Sequence, residues 1–209
     1  MKWSVSQVVD AGLWQRFKSG NEDAYRHLYD HFAPILYSYG CKITCNDALV
    51  KDCLQDLFYN IGRKRNTLSN LTDAESIKYY LFCSLRHEII RKMNLEAGFV
   101  SHTDRVTQTA FEGSVEEAVI ASEDLSILQK TLRQAISQLS PRQQEAIHLR
   151  FYENTSFEDI ANIMEITPRA AYKLIYRSIS ALQKVYQPAP GMNTEIISMP
   201  LLLVLLLFI

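Results

Sequence analysis

The chain has 209 residues, of which 47% are hydrophobic and 22% are charged, and its formal net charge is −1. This length suits one large domain or two small ones, and the apolar fraction is sufficient for buried cores. The near-zero charge excludes binding to nucleic acid through bulk positive charge, so any basic patch must be local.

Apolar residues recur at helical spacing and rarely alternate as in a strand, which predicts an all-α protein. We expect two small helical domains, residues 1–93 and 127–187. The segment between them, 94–126, is rich in Ser, Thr and Glu and is predicted to be a flexible linker. An apolar C-terminal tail, 188–209, completes the chain as given.

The first ten residues lack the apolar stretch of a signal peptide, so we expect a cytoplasmic protein. In that reducing environment the four cysteines remain free thiols. Cys41 and Cys45 have no second Cys or His pair at the spacing of a metal site, and we find no phosphate-binding or nucleophile motif. We therefore expect no enzymatic activity, no metal and no cofactor.

Glycines and a good N-cap residue divide the first domain into helices. The pattern predicts four of them, the second bent at Pro34 and ending at Gly40, and the third beginning after Asn46. The predicted helices cover residues 11–19, 22–39, 47–61 and 75–93.

Helix starts are marked more strongly in the second domain. The run Ser140-Pro141-Arg142-Gln143 is a capping box with proline at the first helical position. Ser156 and Thr167-Pro168 mark two further starts. The sequence therefore predicts helices from near 141, 156 and 168. The last two are only a few residues apart, which is typical of a helix-turn-helix.

The last predicted helix has one apolar side and one basic side when it is drawn at about 100° per residue. Its bases are Arg169, Lys173, Arg177 and Lys184. A face of one charge sign after a helix-turn-helix turn favours a DNA reader, in which arginines pair with guanine and lysines meet phosphates. The alternative is a solvated face on a structural helix.

The stretch from Leu132 to Val185 has a leucine before a proline-opened helix, then an S-x-E-x-I-A helix, a short turn and a helix ending in Ala-Leu. It resembles region 4, the C-terminal DNA-binding domain of sigma-70 family factors. LuxR-type regulators share part of the pattern, which leaves an ordinary helix-turn-helix regulator as the alternative function.

A second motif lies in the first domain, where Asp52, Gln55, Asp56 and Phe58 follow the order D-x-x-Q-D-x-F. This order resembles the region 2 signature of the same family. The resemblance implies that this helix binds core RNA polymerase. The helix is also amphipathic, with its polar residues and Tyr59 opposite the apolar half, as a docking helix requires.

The stretch from Lys78 to Met93 resembles the region 2 helix that meets melted promoter DNA. Rings stack on unpaired bases and cations follow phosphates. The resemblance implies DNA contacts by one ring and three bases: Tyr79, Arg86, Arg91 and Lys92. The loop Arg63–Ser76 corresponds to the loop that captures a flipped base in such factors.

Two positions depart from the family pattern. His87 stands where an asparagine is often seen, and Glu165 occupies the turn, where glycine is usual. Because glutamate does not readily take a left-handed backbone, we predict a reshaped or strained turn.

The middle domain of housekeeping sigma factors is replaced by the linker, which implies the extracytoplasmic-function branch. We therefore expect a sigma factor that binds core RNA polymerase and promoter DNA and is restrained by a membrane-bound anti-sigma factor. Residues 201–209 are all apolar, yet a bilayer-spanning helix needs about 20 residues. Several roles for this tail remain open. It either folds back on the protein's own helices or is disordered, or it is recognised by a protease, by the anti-sigma partner or by a membrane surface. We favour docking on the partner or a peripheral contact with the membrane.

Overall fold

The computed structural model describes residues 12–96 and 134–185. These form two compact units on either side of a boundary at residue 103, and each unit is treated by itself. The described residues are helical and contain no strand, so the predicted all-α class is confirmed. Most of the predicted linker, the apolar tail and the Lys184 side chain lie outside the described residues.

The described part of the first unit, 12–96, contains four α-helices and one 3₁₀ turn. They are α1 (Leu13–Lys18), α2 (Glu22–Ile43), α3 (Asp47–Arg63), the 3₁₀ turn Arg65–Thr67 and α4 (Ala74–Glu96). The Asn46 side chain accepts a hydrogen bond from the Leu49 amide at 3.1 Å, which confirms the predicted N-cap of α3. At the other end of the unit, α4 continues three residues into the segment predicted to be linker.

The prediction that the second helix ends at Gly40 is wrong. Helix α2 continues through Pro34 and Gly40 to Ile43. Packing explains why a glycine stands inside the helix, because a Cβ added to Gly40 would lie 2.6 Å from Cγ1 of Val50 in α3. The glycine therefore permits a close crossing of α2 and α3 and does not end α2.

The core of the first unit lies between α2, α3 and α4, and α1 closes one side of it. Helix α1 contributes Trp14 and Phe17, each 1% exposed. The other three helices contribute Leu28, Phe32, Leu36, Tyr39, Val50, Cys53, Leu57, Leu81, Leu85 and Ile89, all buried. Burial at this helical spacing, rather than helix propensity, holds the elements together.

The described part of the second unit, 134–185, starts with a helical turn at 134–137, and three helices follow it. These are α5 (Pro141–Ile147), α6 (Phe157–Ile163) and α7 (Pro168–Val185), with a π-helical turn at His148–Tyr152 after α5. The helix starts near 141, 156 and 168 are confirmed, and Ser140 forms the predicted capping box with Gln143. Residues from all three helices fill the core: Ala146, Ile147, Ile160, Ala161, Met164, Ala171, Ile175 and Leu182.

All four cysteines are free, and Cys53 is fully buried whereas Cys45 is exposed. Burial raises the pKa of the Cys53 thiol to about 11. Within the described ranges no cluster of three or more His, Cys, Asp or Glu side chains could hold a metal ion. None of the helices there combines the length and apolar character that crossing a membrane requires.

Candidate functional site

Helix α3 places its polar motif residues on one outward side, which we call the α3 surface: Asp52, Gln55, Asp56 and Tyr59. Asp52 and Gln55 are exposed, Asp56 is half-buried and Tyr59 is 62% exposed. The apolar residues of the helix are buried against α2 and α4. The amphipathic arrangement expected for a docking helix is therefore present.

Phe58, which the motif placed in the polymerase contact, is only 2% exposed. Its ring packs edge-on against Tyr29 of α2 at 4.8 Å between centroids, and its carbonyl accepts a hydrogen bond from the Tyr25 hydroxyl at 3.1 Å. The Phe58 ring thus fixes α3 against α2 and lies beneath the surface. Tyr29 is 47% exposed and adds an aromatic edge to this part of the unit.

An ion pair connects the α3 surface to α4. The Lys92 ammonium lies 2.6 Å from Oδ2 of Asp56, and this hydrogen bond raises the pKa of Lys92. The Lys92 side chain is 22% exposed and that of Asp56 is 50% exposed. Lys92 is therefore directed at the α3 surface, although the sequence assigned it to DNA.

The remaining α4 residues that were assigned to DNA have different environments. Arg86 is buried at 7% exposure, which corrects the prediction that its side chain is available to DNA. Arg91 is exposed and pairs with Glu88 one turn earlier, with 3.0 Å between Nε and Oε2. Tyr79 is half-buried. Phe82 is 1% exposed, so its ring belongs to the core of the unit.

The loop between α3 and α4 is fixed to α1 by side chains of α1. The Trp14 indole donates to the Ser69 carbonyl at 2.9 Å. The Lys18 ammonium donates to the Leu68 carbonyl and to the Asn70 side-chain oxygen, both at 2.5 Å. We call these three hydrogen bonds the loop anchors. They hold the second half of the loop, while its three bases at 63–65 are exposed.

Asp73 ends the loop and caps α4. Its carboxylate accepts hydrogen bonds from the Ser76 amide and hydroxyl, both at 2.8 Å. These bonds lower the pKa of the Asp73 carboxyl because they favour its charged form. The cap therefore sets the start of the helix that follows the loop.

In the second unit, the turn between α6 and α7 contains Glu165 at φ 55°. This is the left-handed region that glycine adopts more readily than other residues. The Ile166 amide nevertheless donates to the Ala161 carbonyl at 2.9 Å, which closes the end of α6. The predicted strain at Glu165 is thus present as a left-handed backbone within an otherwise regular helix-turn-helix.

Helix α7 buries the predicted apolar side and exposes the predicted bases. Ala171, Ile175, Ser178 and Leu182 are buried. Arg169, Lys173 and Arg177 are exposed on the opposite side. They lie one turn apart along α7 and form a continuous basic stripe. The outward face of this helix is therefore positively charged over three turns.

Aromatic rings brace the start of this helix against α6. The Phe157 and Tyr172 rings stack with centroids 3.9 Å apart and planes 12° apart. The Arg150 guanidinium lies 4.7 Å from the Phe157 ring, and its Nη1 donates to the Thr155 carbonyl at 2.9 Å. Cation–π and stacking contacts of this kind stabilise by about 0.5–1.5 kcal/mol each. They fix the register of α7 against α6.

Residues 129–182 match the family model described as Sigma-70, region 4. The chain is 26% identical over 171 residues to RNA polymerase sigma factor CarQ of Myxococcus xanthus, which covers 82% of this chain and 94% of CarQ. It is 25% identical over 182 residues to the ECF RNA polymerase sigma factor BldN of Streptomyces coelicolor, covering 83% of this chain and 64% of BldN. The chain is therefore similar to sigma-70 factors, one of which belongs to the extracytoplasmic-function branch.

The fold of this chain is also similar to that of a solved structure, the sigma factor RpoE of Bartonella quintana in complex with the anti-sigma factor NepR. The similarity has a TM-score of 0.54 at 22% identity and covers 78% of this chain and 96% of RpoE. It supports the two-domain helical fold.

Sequence reasoning missed several residues of these surfaces. The loop anchors join Trp14 and Lys18 to residues 50 or more positions later in the sequence, and no local pattern indicates such contacts. Tyr172 and Tyr176 could have been found, because a helical wheel places both of them beside the basic residues. The chain thus presents aromatic as well as basic groups on α7.

Proposed function

We propose that this sigma factor binds core RNA polymerase through the α3 surface and directs promoter-specific initiation through α7. The observation that carries the proposal is the basic stripe of Arg169, Lys173 and Arg177 on the outward face of a braced helix-turn-helix. We further propose that the protein catalyses no reaction and acts in the cytoplasm as a binding subunit.

The polymerase contact rests on the α3 surface. Asp52, Gln55 and Tyr59 are exposed on a helix whose opposite side is fully packed, so changes there cost little stability. Asp56 is oriented by the Lys92 ammonium. We propose that Lys92 positions the Asp56 carboxylate for the polymerase. Phe58 contributes by fixing α3 from below.

The duplex contact rests on α7. The helix presents Arg169 in its first turn, where recognition helices reach base edges in the major groove. Arginine pairs bidentately with guanine, so Arg169→Ala and Arg177→Ala are expected to relax specificity at single base pairs by about 1–3 kcal/mol. Lys173→Ala is expected to weaken binding evenly and to reduce its salt dependence, because lysine contacts phosphate. Lys184 belongs to the same proposal.

The single-stranded contact rests on the loop between α3 and α4 and on α4 itself. Arg63, Lys64 and Arg65 are exposed beside the anchored half of the loop. We propose that they follow the backbone of melted promoter DNA, with Arg91 and Tyr79 nearby on α4. The anchors would let the loop accept a flipped base without losing its own shape.

The partners proposed beyond polymerase and promoter DNA are an anti-sigma factor at the membrane and a peripheral membrane contact through the tail, 188–209. RpoE of Bartonella quintana was solved in complex with an anti-sigma factor. A restraining partner of the same type would suit a factor whose two surfaces are exposed in the absence of polymerase.

Run-off transcription with core polymerase tests the function as a whole. We expect defined transcripts from a genomic template pool when this protein is added, and none with core alone. Gln55→Ala and charge reversal at Asp56 are expected to weaken core binding in fluorescence anisotropy. Charge reversal at Glu22, the exposed first residue of α2, serves as the control. Duplex binding that needs no polymerase, with no transcript, would instead favour the helix-turn-helix regulator.

A further inference from the structure

Two large tyrosines are left exposed on the recognition helix. Tyr176 is 71% exposed and Tyr172 is 58% exposed, the two greatest values among the exposed large apolar side chains of the described second unit. They are one turn apart on α7, so their rings follow each other along the helix. An apolar ring that stays in water gains from burial when a partner arrives.

The two rings lie beside the basic stripe, on its side nearer to α6. At about 100° per residue, Tyr176 is about 20° from Arg169 around the α7 axis, and Tyr172 is about 60° from Arg169 in the same direction. Tyr172 has one ring face covered by Phe157. Tyr176 is not covered in this way and projects at the edge of the basic stripe, next to Arg169.

The surroundings of Tyr176 determine what can cover it. Three bases on one side of the ring attract a polyanion, and the ring needs an apolar partner within that polyanion. In the major groove of duplex DNA the apolar group is the C5-methyl group of thymine, since the other base edges present hydrogen-bond donors and acceptors. A protein partner would have to place acids around an apolar site, whereas DNA supplies both features along one groove.

We propose that Tyr176 is a specificity-determining residue that reads a thymine methyl group in the upstream promoter element, with the braced Tyr172 as the neighbouring wall. This inference rests on the proposed function. The Tyr176 contact adds an apolar interaction to the proposed arginine contacts with guanine. The upstream promoter element should therefore require at least one thymine next to its required guanines.

The test uses the holoenzyme of full-length protein and core polymerase. Promoter duplexes are first selected by this holoenzyme from a random pool, and each thymine of the upstream element is then replaced by deoxyuridine, which lacks only the methyl group. We expect a loss of affinity of about fourfold at one or two positions, which corresponds to ~0.8 kcal/mol for one buried methyl-sized group, and no loss elsewhere.

Two variants separate the ring from its hydroxyl group. In Tyr176→Ala, the thymine duplex and the deoxyuridine duplex should bind equally well, because the partner of the methyl group is gone. Tyr176→Phe keeps the ring and should keep the fourfold difference. Leu95→Ala removes another exposed apolar side chain, 61% exposed near the end of α4, and should keep the difference as well.

The outcomes are distinguishable. If core polymerase and this protein select no duplex, the proposed function fails and the inference falls with it. If duplexes are selected but lack a required thymine, or tolerate deoxyuridine at every position, the function stands and the inference is overturned. If the fourfold difference persists in Tyr176→Ala, or is lost in Tyr176→Phe, the Tyr176 ring does not read the methyl group and the inference is overturned.

Discussion

Replacing Gly40 by alanine tests the close crossing of α2 and α3. The added Cβ would lie 2.6 Å from Cγ1 of Val50 and 3.3 Å from Cδ1 of Ile89. Favourable carbon–carbon contacts lie at about 3.5–4.0 Å, so the first distance is too short by about 1 Å. Val50 and Ile89 are both fully buried and have no free space into which to move.

The expected magnitude combines two opposite effects. Alanine inside a helix is favoured over glycine by about 1 kcal/mol. Overpacking a core costs about 1–3 kcal/mol, and a 1 Å overlap between two helices is at the upper end of that range. The net loss in the free energy of unfolding is therefore about 2 kcal/mol. For a domain of this size it lowers Tm by about 8–16 °C.

The loss of stability is measured by thermal and urea unfolding of the full chain, with the helical signal of the protein monitored by circular dichroism. Gly62→Ala is the matched control, because a Cβ there would lie 3.4 Å from Tyr25, an ordinary contact, and the variant should be neutral or slightly stabilised. In a Val50→Ala background the same Gly40→Ala change should cost less. A Gly40→Ala protein as stable as the original would refute the close-crossing argument.

Three further predictions concern single residues. Glu165→Gly should raise the free energy of unfolding by about 1 kcal/mol, because it removes a glutamate from a left-handed backbone conformation. Asn154→Gly, at φ 50°, should stabilise the protein less, because asparagine tolerates that region. Equal stabilisation by the two changes in thermal unfolding would contradict this. Asp73→Ala should lose about 1 kcal/mol of capping at pH 7. Because the pKa of Asp73 is lowered in the folded state, the stabilisation by the cap is complete above the ordinary aspartate pKa and is lost as the pH falls through the folded-state pKa. A difference in stability between Asp73→Ala and the original protein that persists unchanged in acid would argue against the cap. Iodoacetamide should label exposed Cys45 well before Cys53, whose buried thiol has a pKa raised to about 11, and mass spectrometry showing the reverse order would disprove the burial.

Local signals were sufficient for much of the fold. Asn46, Ser140 and Ser156 each cap the helix that they were predicted to start, because a cap depends only on the next three residues. The outward position of Arg169 and Lys173 followed from helical periodicity in the same way. Such features depend on short stretches of chain, and the sequence contains them completely.

Features that depend on tertiary contacts could not be predicted from the sequence. Gly40 was taken as a helix end because glycine often ends helices, yet its role depends on Val50 across the crossing. Arg86 was taken as a DNA contact, although packing buries it. Lys92 was assigned to the same DNA surface, and only the fold shows that Asp56 lies 2.6 Å from it. In each case the deciding partner belongs to another element.

The loop anchors have a consequence for how the loop can change over evolution. Two of the three hydrogen bonds end on main-chain oxygens, those of Leu68 and Ser69. Every amino acid supplies such an oxygen, so substitutions at these positions leave those two bonds available. Trp14 and Lys18 therefore hold the loop by its backbone and leave its side chains open to variation. Under the proposed contact with melted promoter DNA, new downstream specificities would arise, or be grafted from other proteins, without rebuilding the domain that supports them.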